Sequence, residues 1–240
     1  YGLYGLVGAV TVLVAFFNYL LAASVERFYA VAAGAGDLAE QRRWFSIALA
    51  AHVAVAVVMT ALAYPIGRGL IVGFLSIPPD RVAMCVEVFG FVVLDAFVGF
   101  VTVPFSAVFT ARQKIAELTV FGLFQTLANV AVLGWMVTHP GTWLVVYAGA
   151  ICAIRVVPAL ILTVIAVMKF PECRFRAAFV FDRERVVRFV GFTSSRFCCL
   201  LGQILSTQGL AVVVNKYLGV ARNASLAVGH TVLNNANMLA

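Results

Sequence analysis

The chain has 240 residues, 63% of them hydrophobic and only 11% charged, and its mean hydropathy is +1.03. Soluble domains of this size carry about 25% charged residues, so the composition excludes an ordinary water-soluble fold. The net charge of +7 comes with no basic-aromatic nucleic-acid motif; it fits loop cations facing anionic lipid, and no nucleic-acid partner is expected.

Taken in chain order, residues 3–25, 44–67, 118–154 and 197–215 carry no Asp, Glu, Lys or Arg. Apolar runs of about 18 residues or more read as membrane spans. Six complete spans are expected, at 3–25, 44–66, 82–103, 116–137, 143–168 and 187–214, with a seventh beginning at 224–240. The expected architecture is an all-α polytopic transmembrane bundle. The chain starts at Tyr1 inside an apolar pattern and shows no signal peptide, so it reads as a stretch of a longer protein, with a span expected before it and more after it.

Connections are short. Ile77-Pro78-Pro79-Asp80 and the turn His139-Pro140-Gly141 are helix breakers. Arg27, Arg42, Arg43, Arg112, Lys114, Lys169, Arg174, Arg176, Arg183, Arg185 and Arg188 fall on one side of the membrane, while Arg68, Arg81, Lys216 and Arg222 fall on the other. The positive-inside rule makes the first side cytoplasmic. Trp135 and Trp143 flank the external turn as interfacial aromatics do. Three regions are expected: a helical bundle over 1–168, a basic cytoplasmic linker over 169–186, and a second bundle beginning at 187–240. In the linker, Asp182 fits the N-cap of the following helix, with Glu184 in its first turn. Residues 170–181 alternate aromatic and basic side chains. They read either as an ordinary positive linker or as a segment lying on the membrane surface.

Ionisable groups at bilayer depth mark pathways or buried pairs. Arg27, Glu87, Asp95, Arg155 and Arg196 are the candidates. Asp95 and Arg155 lie about 21 and 18 Å from the external ends of their spans, so they are expected at matched depth. They read either as a neutralised pair holding helices together or as part of a water-filled, cation-lined cavity. Arg27 also fits a snorkelling cation near a helix C-terminus. Pro158, three residues after Arg155, fits a bent gating helix and equally a packing kink. His52 reads as a hydrogen-bonded packing residue. The cysteines have neither metal-ligand nor disulfide spacing. No metal and no cofactor is expected. No P-loop, HExxH, GxSxG or Ser/His/Asp set appears, so no catalytic residue is assigned and the chain does not read as an enzyme.

Several short motifs occur in a meaningful order. They are Arg27-Phe28, Gly34-Ala35-Gly36-Asp37-Leu38 and Trp44-Phe45-Ser46, then Ile77-Pro78-Pro79-Asp80-Arg81 and Val103-Pro104-Phe105-Ser106-Ala107, then Cys173-Arg174-Phe175-Arg176, Phe181-Asp182, Gln208-Gly209 and Leu218-Gly219. Together they resemble the bacterial polysaccharide flippases of the MOP superfamily, relatives of the multidrug (MATE) exporters. After Ala111, where that family often has His-Glu, this chain has Arg112-Gln113-Lys114. The resemblance implies spans two to seven and part of eight of a two-bundle, MATE-like fold in the bacterial inner membrane. It implies an oligosaccharide on undecaprenyl diphosphate as substrate, moved to the periplasmic leaflet by alternating access, as in lipopolysaccharide or exopolysaccharide synthesis. Arg27, Arg155 and Arg196 would bind the diphosphate or sugar acids. Asp95 and Glu87 would be counter-ions or coupling groups, with Na⁺ or H⁺ as the coupling ion. The competing expectations are a MATE-like exporter of organic cations and, from another class, a membrane enzyme acting on polyprenyl-linked sugars.

Overall fold

Helix ends in this chain are set by identifiable signals. The structure, a computed structural model, describes residues 2–74, 77–138 and 143–204 together with 206 and 217, with the backbone alone at 2–15, 17, 143, 203 and 204. The described elements are all helical: α1 (Gly2–Gly34), α2 (Leu38–Gly69, prolonged by a π-turn at Leu70–Phe74), α3 (Pro79–Ala111), α4 (Ile115–Thr138), α5 (Trp143–Lys169) and α6 (Arg183–Ile204). Two 3₁₀ turns, Pro171–Cys173 and Ala177–Phe181, join α5 to α6. Four stretches are long and apolar enough to cross a membrane: Leu38–Phe74, Pro79–Ala111, Ile115–Thr138 and Leu144–Lys169. The expected span at 3–25 falls within α1, where most side chains lie outside the description. The expected span at 187–214 is helical as far as Ile204, and beyond it only Ser206 is described; the segment at 224–240 and the turn at 139–142 lie outside the described residues.

The helices overrun the apolar runs that announce them. α1 continues past residue 25 to Gly34, and α2 starts at Leu38, so the first connection has three residues instead of the whole of 26–43 between the expected spans. Gly36 takes the left-handed conformation, with φ 69°. Its N–H and that of Asp37 reach back to the Ala33 and Ala32 carbonyls at 3.1 and 3.2 Å. That is a Schellman ending. Asp37 then caps α2 by accepting from the Glu40 N–H at 2.9 Å. The end of α3 repeats the motif with Gln113 as the left-handed residue and Lys114 N–H bonding the Phe109 carbonyl at 2.8 Å. Pro79 opens α3 at a position where its missing N–H costs nothing.

The chain divides into two compact units, residues 1–189 and 190–240. In the first, α1 to α5 run up and down, and α3 packs on α1, α2 and α5. Tyr29, Phe45, Phe105, Phe109 and Phe170 form the largest core cluster, at the basic end of the helices. Phe28 stacks on Trp44 at 4.3 Å and belongs to a second cluster with Phe189. α4 has no buried residue. Its Val120, Leu123, Phe124, Leu127 and Val130 are all more than half exposed, as suits a helix solvated by lipid. In the second unit, the described part of α6 carries Arg196, half-buried, and the exposed thiols Cys198 and Cys199.

At the opposite end of the first unit, α2 and α3 approach closely because Gly67 has no side chain. A Cβ on Gly67 would lie 2.2 Å from Cζ of Phe89, whose ring is fully buried. Gly67→Ala is therefore expected to destabilise the protein by about 1–3 kcal/mol through overpacking. Thermal unfolding in detergent reads this, and Phe89→Leu in the same chain should recover much of the loss. An unchanged melting temperature for Gly67→Ala alone would show that the helices part freely here.

Candidate functional site

Polar residues inside apolar helices must find partners, and in the first unit they find each other in two places. The first is at mid-helix. Asp95 is about 24 Å from either end of α3, and Arg155 about 18 Å from the start of α5. Their expected match in depth is met: Arg155 Nη1 donates to Asp95 Oδ2 at 3.1 Å. The pair borders a cavity of about 350 Å³ between α3, α4 and α5. Gln125, Thr126 and Asn129 of α4 complete its polar wall, and Gly99 and Gly122 leave it room. Gln125 and Asn129, one helical turn apart, share a face, while Leu123, Leu127 and Val130 of the same helix point away from the core.

The hydrogen-bond inventory of this cavity is incomplete. Thr126 Oγ1 donates to the Gly122 carbonyl at 2.9 Å. Asn129 Oδ1 is buried and accepts nothing from a described residue. Arg155 is half exposed, with 51% of its side chain accessible, against 27% for Asp95. The guanidinium thus has donors left over after its bond to Asp95. A ligand with hydroxyls, or with an anionic group facing Arg155, would meet acceptors and donors of both kinds here.

The other expected site residues are dispersed. Glu87 is exposed on α3, two turns before Asp95, and Arg27 is exposed near the end of α1; neither lines the cavity. Pro158 is buried in α5, which continues as helix through it to Lys169. Arg196 belongs to the second unit. His52 is fully buried and its Nδ1 lies 2.8 Å from the Ala48 carbonyl, as a packing histidine would be.

The second polar cluster was not foreseen. Pro171 forces Phe170 into an extended conformation, ending α5 and starting a 3₁₀ turn. That turn delivers Glu172 and Cys173 into the protein, 0% and 2% exposed. Arg112 reaches Glu172 from the end of α3 and also donates from Nε to Tyr29 Oη and from Nη2 to Gln41 Oε1, both at 3.1 Å. Tyr29 Oη donates to Glu172. The guanidinium lies 5.0 Å from the Phe170 ring centre. Gln41 Nε2 returns to the Ala32 carbonyl at 3.3 Å. One network therefore ties α1, α2, α3 and the linker, over an aromatic core. Burial, and then the neighbouring Glu172 carboxylate, push the Cys173 thiol up to about 12.

Further bonds fasten the linker beyond this network. Arg42 Nη2 donates to the Pro171 carbonyl at 3.0 Å, and the Arg176 N–H donates to Ser46 Oγ at 3.2 Å. Lys169 Nζ meets Glu117 of α4 at 2.6 Å. Arg185 donates to both Glu40 oxygens at 2.9 Å and pairs with Asp182. Asp182 caps α6 as expected, by accepting from the Arg185 N–H at 3.2 Å. The Arg185 amide and guanidinium hold the Asp182 carboxyl below the usual carboxylate range.

Among the described residues no group of His, Cys, Asp and Glu is arranged to hold a metal. No protein-family model, curated protein or solved structure matches this chain.

Proposed function

We propose that the protein is a multi-pass transporter of the bacterial inner membrane that moves a lipid-linked oligosaccharide between leaflets, and that the Asp95–Arg155 cavity is a binding subsite for it. The observation that carries this reading is the cavity itself: an acid, a base, two amides and a hydroxyl gathered at mid-helix between apolar spans. Such a wall is costly in a membrane and is retained where a polar cargo passes. The volume of about 350 Å³ is at the small end for ligand sites. It suits one sugar ring or a diphosphate, with the rest of the cargo outside it. Asn129 Oδ1 can take a donor, as a sugar hydroxyl supplies, and Arg155, beyond its bond to Asp95, has donors left for a second anionic group. The order of motifs resembling polysaccharide flippases supports the same cargo class. Transport, in this reading, is alternating access driven by Na⁺ or H⁺, with no covalent chemistry and no cofactor.

The test is genetic. Gln125→Ala with Asn129→Ala in the producing strain removes the neutral part of the wall without creating an unpaired charge. Surface polysaccharide should fall several-fold, lipid-linked precursor should accumulate in the cytoplasmic leaflet, and membrane levels of the protein should hold. Normal surface polymer together with lost resistance to cationic compounds would instead favour a cation exporter. Unchanged export of both would remove the cavity from the pathway.

A further inference from the structure

The outer surface of the linker has a chemistry unlike that of its underside. Underneath, Phe170, Glu172 and Cys173 are buried, and Arg185 is bound to Glu40 and Asp182. On top, Phe175 is 48% exposed and Phe181 85%. Arg174, Arg176 and Arg183 are exposed beside them. None of these three guanidiniums forms an ion pair with another described residue. The contrast within the segment is informative, because the neighbouring cations Arg112, Lys169, Arg185 and Arg188 are all paired with carboxylates. Two solvent-facing phenylalanines among three uncompensated arginines are held in place by a network that fixes the backbone beneath them.

That combination matches one kind of partner. Anionic headgroups attract and neutralise arginines held near a charged leaflet, and aromatic rings partition into the headgroup boundary. The segment leaves α5 at its basic end, where the membrane surface is within reach of a linker only a dozen residues long. We infer that residues 174–183 are a docking surface for the anionic phospholipid of the adjacent leaflet, and that the buried Glu172 network serves to present it. This inference does not rest on the nature of the transported cargo.

The experiment places Trp at either aromatic site, as Phe175→Trp and Phe181→Trp, in the whole chain reconstituted in bilayers. The bilayers contain bromine-labelled lipid and are made with either phosphatidylglycerol or phosphatidylcholine alone. Fluorescence is taken as the difference from the unsubstituted protein, which contributes its own three tryptophans. The introduced Trp should be strongly quenched in phosphatidylglycerol and much less in phosphatidylcholine. The triple change Arg174→Gln, Arg176→Gln, Arg183→Gln should abolish that difference. Continued protection of Cys173 from maleimide shows that the linker of the variant is still folded. A blue-shifted Trp emission that ignores the lipid would mean that protein covers this face. A red-shifted, unquenched emission in both bilayers would mean that it stays in water. Either result overturns the inference.

Discussion

Arg112→Ala is expected to cost about 3 kcal/mol of stability and to release the linker from the helices. The expectation follows from what the change leaves behind. Glu172 is completely buried, and its Oε2 already lacks a hydrogen-bond partner among the described residues. Among the described residues, removing Arg112 removes the one cation paired with it and leaves one hydrogen bond, from Tyr29. Breaking a buried pair from one side typically costs 3–5 kcal/mol. The lower end is appropriate because a third of the Arg112 side chain is accessible. Arg112→Lys should recover only part, since a single ammonium cannot reach Tyr29, Gln41 and Glu172 in one plane. The double change Arg112→Met, Glu172→Met removes both charges and should be milder than Arg112→Ala alone.

Cys173 supplies the readout. It is buried next to Glu172 and its thiol is pushed up to about 12, so at neutral pH it should resist maleimide in the native protein. In Arg112→Ala it should be alkylated rapidly, alongside a lower melting temperature in detergent. If Cys173 stays protected and the melting temperature stands, the network is an ornament of the surface and the linker is held by the other bonds.

The second large effect concerns the cavity. Arg155→Ala should reduce export of the lipid-linked cargo by about tenfold to a hundredfold, the equivalent of losing one charge-assisted bond of about 1.5–3 kcal/mol. Because the change also leaves Asp95 without its partner at mid-helix, export is compared at equal membrane levels of the protein. Asp95→Asn removes the counter-charge and keeps the hydrogen-bonding shape. Export should then survive better than in Arg155→Ala, with an altered dependence on pH or Na⁺ if the acid is the coupling group. The exchange Asp95→Arg with Arg155→Asp separates the two roles of the pair. A purely structural pair is restored by it, whereas a cargo site that needs its cation on α5 is not.

Part of this arrangement is legible in the residues. The uncharged runs at 44–67 and 118–154 carry into α2, α4 and α5, and the depth of Asp95 matches that of Arg155 because both are counted from helix ends. Charge announces itself in an apolar run. Gln125, Thr126 and Asn129 do not, since neutral polar residues cost less in a membrane and are common there. Their spacing along one face of α4 is the only trace they leave. Helix ends were harder still. Gly36 and Asp37 are recognisable as stop and start signals, but residues 38–43, with Glu40, Arg42 and Arg43 among them, look like loop until that cap is seen. Glu172 had no local signal at all. An acid in a basic linker reads as solvated, and only the tertiary meeting of α1, α2 and α3 around Arg112 buries it. Cys173 follows from the same event. Arg196 sits in the second unit, and sequence depth alone cannot bring it to Arg155.

Binding of the cargo to the cavity can be measured on the purified protein. The purified protein in nanodiscs is titrated with a short polyprenyl diphosphate oligosaccharide, and the affinity is compared with that of Arg155→Ala and of Gln125→Ala with Asn129→Ala. Arg155→Ala should weaken binding of the diphosphate form by about tenfold or more, and the double amide variant should weaken it through the sugar. Equal affinity across all three proteins would contradict the assignment of the Asp95–Arg155 cavity as the cargo site.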